Sequence, residues 1–265
     1  MSRTGLGEAA MALARKSYGS YRSLGGAWDL GWLQLDLLRI QRDPFAPPSS
    51  CRVVVGAGEA ALPDRVLVSP EARVGAACLM ARRLAEGAQR TPRGKGSGNS
   101  GRLAVIDLEQ LVLDQTAVQV SEDGTVQARF GVGLPAQGRR ILGSEARRLL
   151  TESIPALVDG ALTARGFPGR ELEEAAEINE DATALRGQLE AKGLVAFVAD
   201  GALLPRRSGV DPHPMAAATA VPCEAPDTLS VTLDRPNGPP LRGLGIPEGV
   251  TLIVGGGYHG KSTLL

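Results

Sequence analysis

Residues 250–265 of the chain read VTLIVGGGYHGKSTLL. Gly255, four intervening residues and Gly260-Lys261-Ser262 fit the phosphate-binding pattern G-x-x-x-x-G-K-[ST]. Each residue type has a physical task in that pattern. Gly255, Gly256 and Gly257 let the backbone wrap so that successive N–H groups turn inward on phosphate oxygens. A helix opening at about Gly260 directs the positive end of its dipole at the same oxygens. Lys261 bridges the β- and γ-phosphates as a point charge, which makes it the catalytic candidate. The Ser262 hydroxyl is the expected ligand of Mg²⁺, and Thr263 stands one residue on for a further phosphate contact. Tyr258 and His259 fill the variable positions. His259 either reaches the nucleotide or serves as a spacer whose backbone N–H alone matters.

Such a loop needs a strand to carry it in and a helix to carry it out. Val250–Val254 is continuously apolar and predicts the incoming core strand. Upstream, Leu229, Val231 and Leu233 alternate with polar residues as a half-buried strand does, and PNGPP (236–240) marks a turn. Before that lies a Pro- and Ala-rich stretch, 201–227, whose composition predicts a linker between domains. LVAFVA (194–199) reads as a compact apolar strand.

A second group of residues could bind by charge. TPRGKGSGNSG (91–101) is basic and glycine-rich, and Arg82, Arg83, Arg90, Arg93, Lys95 and Arg102 cluster around it with Glu86 the one acid between them. Arg139-Arg140 and Arg147-Arg148 form another basic stretch. Flexible arginines of this kind track a nucleic-acid backbone, RNA included. A solvated surface loop explains the same composition, and 3% aromatic residues leave few platforms for base stacking. The acids of 171–181 read as a solvated helix face. His213 has no cysteine or glutamate at ligand spacing, and Trp28 and Trp32 read as core or a packing edge.

The remaining chain predicts a mixed fold. Helices are expected over 8–23, 71–89, 144–165 with a break near Pro155, and 171–192; strands over 33–37, 51–55 and 103–106; and a hairpin joins Val118–Val120 to Val126–Phe130 across SEDG. With 29 basic and 29 acidic residues there is no net charge, which argues against a generally basic nucleic-acid binder. No apolar run reaches the ~18 residues of a membrane span, and no secretion signal opens the chain. Cys51, Cys78 and Cys223 are odd in number and widely spaced, fitting neither a disulfide framework nor a zinc site. The cytoplasm is the expected compartment.

The upstream residues narrow the class. Leu241, Gly243, Ile246, Pro247 and Gly249, together with the loop, resemble the opening of an ABC-type ATPase domain. GGGYHGKSTLL, YRSLGGAW (21–28), QRDPFAPPS (41–49), LVAFVADGALLPRRSG (194–209) and SGVDPHP (208–214) resemble the ATPase of the ABC class, a family that does not transport. The resemblance covers nearly the whole chain. It implies an α+β fold: an accessory domain over 1–220, then the first strands and phosphate loop of an ABC nucleotide-binding domain over 221–265. It implies Mg·ATP as ligand, and hydrolysis between two domains, hence a homodimer of the complete protein. RNA is a partner by resemblance only. The Walker B acids and signature motif of the class are expected beyond Leu265, which reads the chain as an N-terminal fragment that does not hydrolyse ATP alone.

Overall fold

In the computed structural model, which describes residues 3–257 and 260–265, the chain divides into two units, Met1–Ala176 and Glu177–Leu265. Both mix helices with antiparallel strands, as the α+β reading requires.

The first unit opens with α1 (Arg3–Ala12) and a 3-10 segment, Tyr18–Leu24. The single helix expected over 8–23 is interrupted because the backbone of 15–18 finds partners elsewhere. Arg15 N–H donates to the Ile141 carbonyl, Tyr18 N–H donates to that of Arg139, and Arg15 takes a left-handed φ of 65°. Strands β1 (Gly26–Asp29), β2 (Leu33–Arg39) and β3 (Ser49–Val55) follow. Two helical turns, α2 (Ala57–Ala60) and α3 (Asp64–Leu67), lead to the long helix α4 (Pro70–Arg90). Ser69 caps α4 by accepting from Ala72 N–H at 3.0 Å, and Pro70 occupies the first turn, where no N–H is needed.

Next come β4 (Leu103–Ala104), β5 (Val118–Val120), β6 (Val126–Val132), β7 (Ala136–Gln137) and β8 (Arg140–Ile141). The antiparallel sheet runs β1-β2-β3-β6-β4, with β5 also on β6. The expected hairpin forms with Val118 opposite Ala128 and Val120 opposite Val126. The strand expected over 103–106 keeps only its first two residues paired. Alternation along β3 and β6 buries Cys51, Val53 and Val55 beside Val126, Ala128, Phe130 and Val132. Against this apolar layer packs the small-residue face of α4, with Ala76, Met80, Ala81 and Leu84 fully buried. Met80 and Leu84 contribute about 1.5–3 kcal/mol each.

Helices α5 (Gly143–Arg148) and α6 (Ile154–Leu162) are joined by a π-turn at Leu149–Ser153. Pro155 has no N–H to offer the carbonyl of Thr151, so the break expected near it becomes one wide turn rather than a chain reversal. α6 lies close on α4: a β-carbon at Gly87 would come within 2.5 Å of the Leu157 side chain.

The division between units falls within α7 (Glu171–Gly187). The second unit continues with β9 (Leu194–Ala199), β10 (Ser230–Leu233) and β11 (Leu241–Pro247), an antiparallel sheet in the order β10-β11-β9, and ends in α8 (Lys261–Leu264). Gly243 faces Ala199 in this ladder, and a β-carbon there would collide with the Val198 carbonyl and the Phe197 ring. Because β9 pairs with β11, residues 194–199 belong to the C-terminal unit, whereas the composition-based boundary was expected at 220.

The acidic helix face also differs from expectation. Asp181 is buried; it accepts from Arg235 at 3.2 Å and from Asn237 N–H at 3.0 Å, so it clamps the 234–238 turn instead of facing solvent. Glu180 accepts from the Asn237 amide at 3.1 Å.

Candidate phosphate-binding site

Leading into the loop, β11 ends at Pro247, Gly249 turns the chain at φ 104°, and Glu248 N–H donates to the Gly193 carbonyl. The core strand expected over Val250–Val254 does not form. Val250, Leu252 and Val254 are 102%, 82% and 76% exposed, and no described segment offers them a ladder. The sheet of this unit ends at β9 and β10, and residues 250–254 pair with neither edge.

Gly260 adopts φ 78°, ψ 7°, a left-handed conformation that costs any residue with a β-carbon. α8 begins at the next residue, with Thr263 and Leu264 N–H both donating to the Gly260 carbonyl at 2.9 and 3.0 Å. The helix therefore starts where the pattern predicted. Lys261 Nζ donates to the Gly256 carbonyl at 2.5 Å, folding the lysine back across its own loop. Tyr258 and His259 lie outside the described residues, so the expectations for them have no geometry here.

Gly260, Lys261, Ser262 and Thr263 line one side of a cavity of about 1000 Å³ within the C-terminal unit. This is the upper end of the ~300–1,000 Å³ that small-molecule sites occupy. Gly255, Gly256 and Gly257 are exposed and do not line it. Part of the cavity's remaining lining comes from the stretch first read as a linker. Residues 205–215 form a hairpin: Arg206 bridges Pro214, Arg207 N–H donates to the His213 carbonyl at 2.9 Å, and Met215 N–H to that of Pro205 at 2.8 Å. The Ser208 hydroxyl accepts from Val210 and Asp211 N–H and fixes the tip. Hydrogen bonds from the His213 side chain and backbone hold Asp211 below the usual carboxylate range. His213 is thus accounted for by a 2.6 Å contact with Asp211. Among the described residues no group of three His, Cys, Asp or Glu is placed to hold a metal ion.

Residues 6–165 match the family model described as ATPase of the ABC class N-terminal, and residues 168–265 match the P-loop domain model of ABC ATPases. The chain belongs to the ABC-class ATPases. No curated protein matches it. Its C-terminal unit is the P-loop nucleotide-binding domain of this ABC-class ATPase, and the matched segment takes in β9 and the 205–215 hairpin as well as the loop. Among the described residues no helix is long and apolar enough to cross a membrane.

Sequence reasoning missed the hairpin side of the cavity in this ABC-class ATPase. Proline and alanine content marked 201–227 as a linker, although LVAFVADGALLPRRSG (194–209) and SGVDPHP (208–214), which span the hairpin, carry part of the family resemblance. Trp28 is buried, its indole donating to the Leu24 carbonyl at 2.9 Å, and Trp32 packs against the core with Arg165 over its ring, so both are structural.

Proposed function

We propose that the chain binds Mg·ATP through residues 255–263, with Lys261 on the β- and γ-phosphates and Ser262 as the protein ligand of Mg²⁺. The observation that carries this reading is the cavity wall made by Gly260, Lys261, Ser262 and Thr263 in a domain of the P-loop family. Among the described residues no carboxylate lines that cavity. The donor set therefore suits phosphate oxygens, and Mg²⁺ fits as the counter-ion of the nucleotide, held by one hydroxyl rather than by a protein cage. When bound it neutralises phosphate charge. Lys261 would add its own charge beside it.

Hydrolysis requires an acidic residue beside the metal and a signature loop from a second domain; among the described residues neither lines this cavity, and in this reading a homodimer supplies the second domain. The test is a titration with a fluorescent ATP analogue and Mg²⁺. Lys261→Ala should weaken binding roughly ten- to hundredfold, the worth of a charge-assisted contact. Equal affinity in the variant, with its circular dichroism intact, sinks the reading.

A second reading, nucleic-acid binding by the first unit, rests on a separate observation. The 91–101 loop is tied to the β7–β8 hairpin by Ser97 N–H to the Ala136 carbonyl (2.7 Å) and Gly138 N–H to Ser97 Oγ (3.0 Å). That hairpin is tied to residues 15–18 by Arg140 Nη1 donating to the Arg15 carbonyl at 3.2 Å. Arg15, Lys16, Arg93, Lys95, Arg102 and Arg139 are exposed on these segments, and none has an ion pair among the described residues. Anisotropy with a labelled single-stranded RNA should show binding that weakens with salt, and weakens further in Arg93→Glu/Lys95→Glu. Absence of binding at low salt rules this reading out.

A further inference from the structure

We propose that Arg206 is a second cationic ligand of the nucleotide's phosphates, and that the 205–215 hairpin is the wall of the site facing the phosphate loop. This rests on the reading of residues 255–263 as the phosphate cradle.

Arg206 and Lys261 line the same cavity from separate segments, and among the described residues they are its only charged lining groups. A concave surface with two cations and no carboxylate has the charge of a polyanion's receptor. The two arginines of the hairpin are not equivalent. Arg207 is engaged with Asp211 at 3.6 Å, and Asp211 is engaged in turn with His213. Arg206 is exposed, has no ion pair or side-chain hydrogen bond among the described residues, and shares its wall with Ser208. Its guanidinium presents a planar fork of donors that matches phosphate oxygens in pairs, which the point charge of Lys261 does not. The remaining wall, Leu204, Met215, Val221 and Leu244, is apolar and offers a surface for the base. The hairpin's geometry comes from backbone bonds and from Ser208 and Asp211, so removing the Arg206 side chain leaves its scaffold in place.

The experiment uses the full chain, a fluorescent ATP analogue as probe and inorganic tripolyphosphate as competitor. Arg206→Ala should weaken both ligands by a similar factor, roughly tenfold or more, with Arg206→Lys in between and Arg207→Ala near wild type. If Arg206→Ala binds as wild type while Lys261→Ala is weakened, the assignment of Arg206 fails and the phosphate loop reading survives. A loss for the nucleotide without any loss for tripolyphosphate overturns a phosphate role. An equal loss in Arg207→Ala reduces the effect to general charge and overturns the specific one. If Lys261→Ala also binds unchanged, the underlying reading fails and this proposal goes with it.

Discussion

Lys261 Nζ sits 2.5 Å from the carbonyl oxygen of Gly256, five residues back along the same loop. The contact shows the loop curling tightly enough for its lysine to reach its own glycine run. That curvature depends on Gly260, whose left-handed backbone turns the chain from the glycines into α8.

Substitution at Gly260 should act through conformation and not through collision. A β-carbon there meets nothing within 4 Å, but φ 78° costs an ordinary residue about 1–2 kcal/mol. Asparagine tolerates this region better than valine. Nucleotide affinity should therefore fall in the order Gly, Asn, Ala, Val. Equal affinity for Gly260→Val and wild type would show that the loop does not need the turn.

Arg52 neutralises a carboxylate inside the N-terminal sheet. Asp36 is 3% exposed and lies 2.5 Å from Arg52 Nη2, while Arg52 is 35% exposed. Gln34 adds one hydrogen bond to Asp36 at 2.8 Å. Arg52→Ala strands the charge and should cost about 3 kcal/mol, or roughly 6–12 °C in Tm. Replacing both members with leucine should recover most of that. Both tryptophans lie in the first unit, so tryptophan fluorescence reads this melt specifically.

Alkaline stability should track two tyrosines. Tyr18 and Tyr21 donate to the carbonyls of Leu134 (3.1 Å) and Pro135 (2.6 Å), and burial pushes both phenols well above their usual value. A raised folded pKa gives stability that is fully present below the unfolded value of about 10 and is lost as pH rises beyond it. The fluorescence-detected Tm should fall above about pH 10, and Tyr18→Phe/Tyr21→Phe should flatten that fall. In a Tyr258→Phe background, tyrosinate absorbance appearing before unfolding would contradict the burial argument.

Cysteine labelling should report the cavity. Cys51 and Cys78 are buried, whereas Cys223 is half-buried and lines the cavity with Lys261. Burial, helped by the charge of Asp200, raises the Cys223 thiol, so its modification should be slow at neutral pH and quicken as pH climbs past the ordinary thiol range. Peptide mapping by mass should find Cys223 labelled first, and Mg·ATP should slow that labelling. Labelling of Cys51 at an equal rate in folded protein would be inconsistent with its burial.

Local rules made much of this protein legible from its residues. The period-2 alternation of β3 and β6, the turn between β5 and β6, the helical spacing of α4, and the helix opening beside Gly260 all follow from side-chain period and backbone preference within a few residues. Sequence spacing alone also singled out Gly260-Lys261-Ser262 as the candidate site, because a phosphate loop is a contiguous device. Other features depended on partners distant in the chain. Residues 15–18 left a helical pattern because residues 139–141 supplied better hydrogen bonds, and Asp181 left solvent because Arg235 and Asn237 came to it. Val250–Val254 has a strand's composition and no strand, since a ladder takes two sides and composition supplies one. Arg206 was invisible for the same reason: a cation in a Pro- and Ala-rich stretch joins a site only when a hairpin brings it to the cavity that Lys261 also lines, and that shared lining is not written in any spacing along the chain.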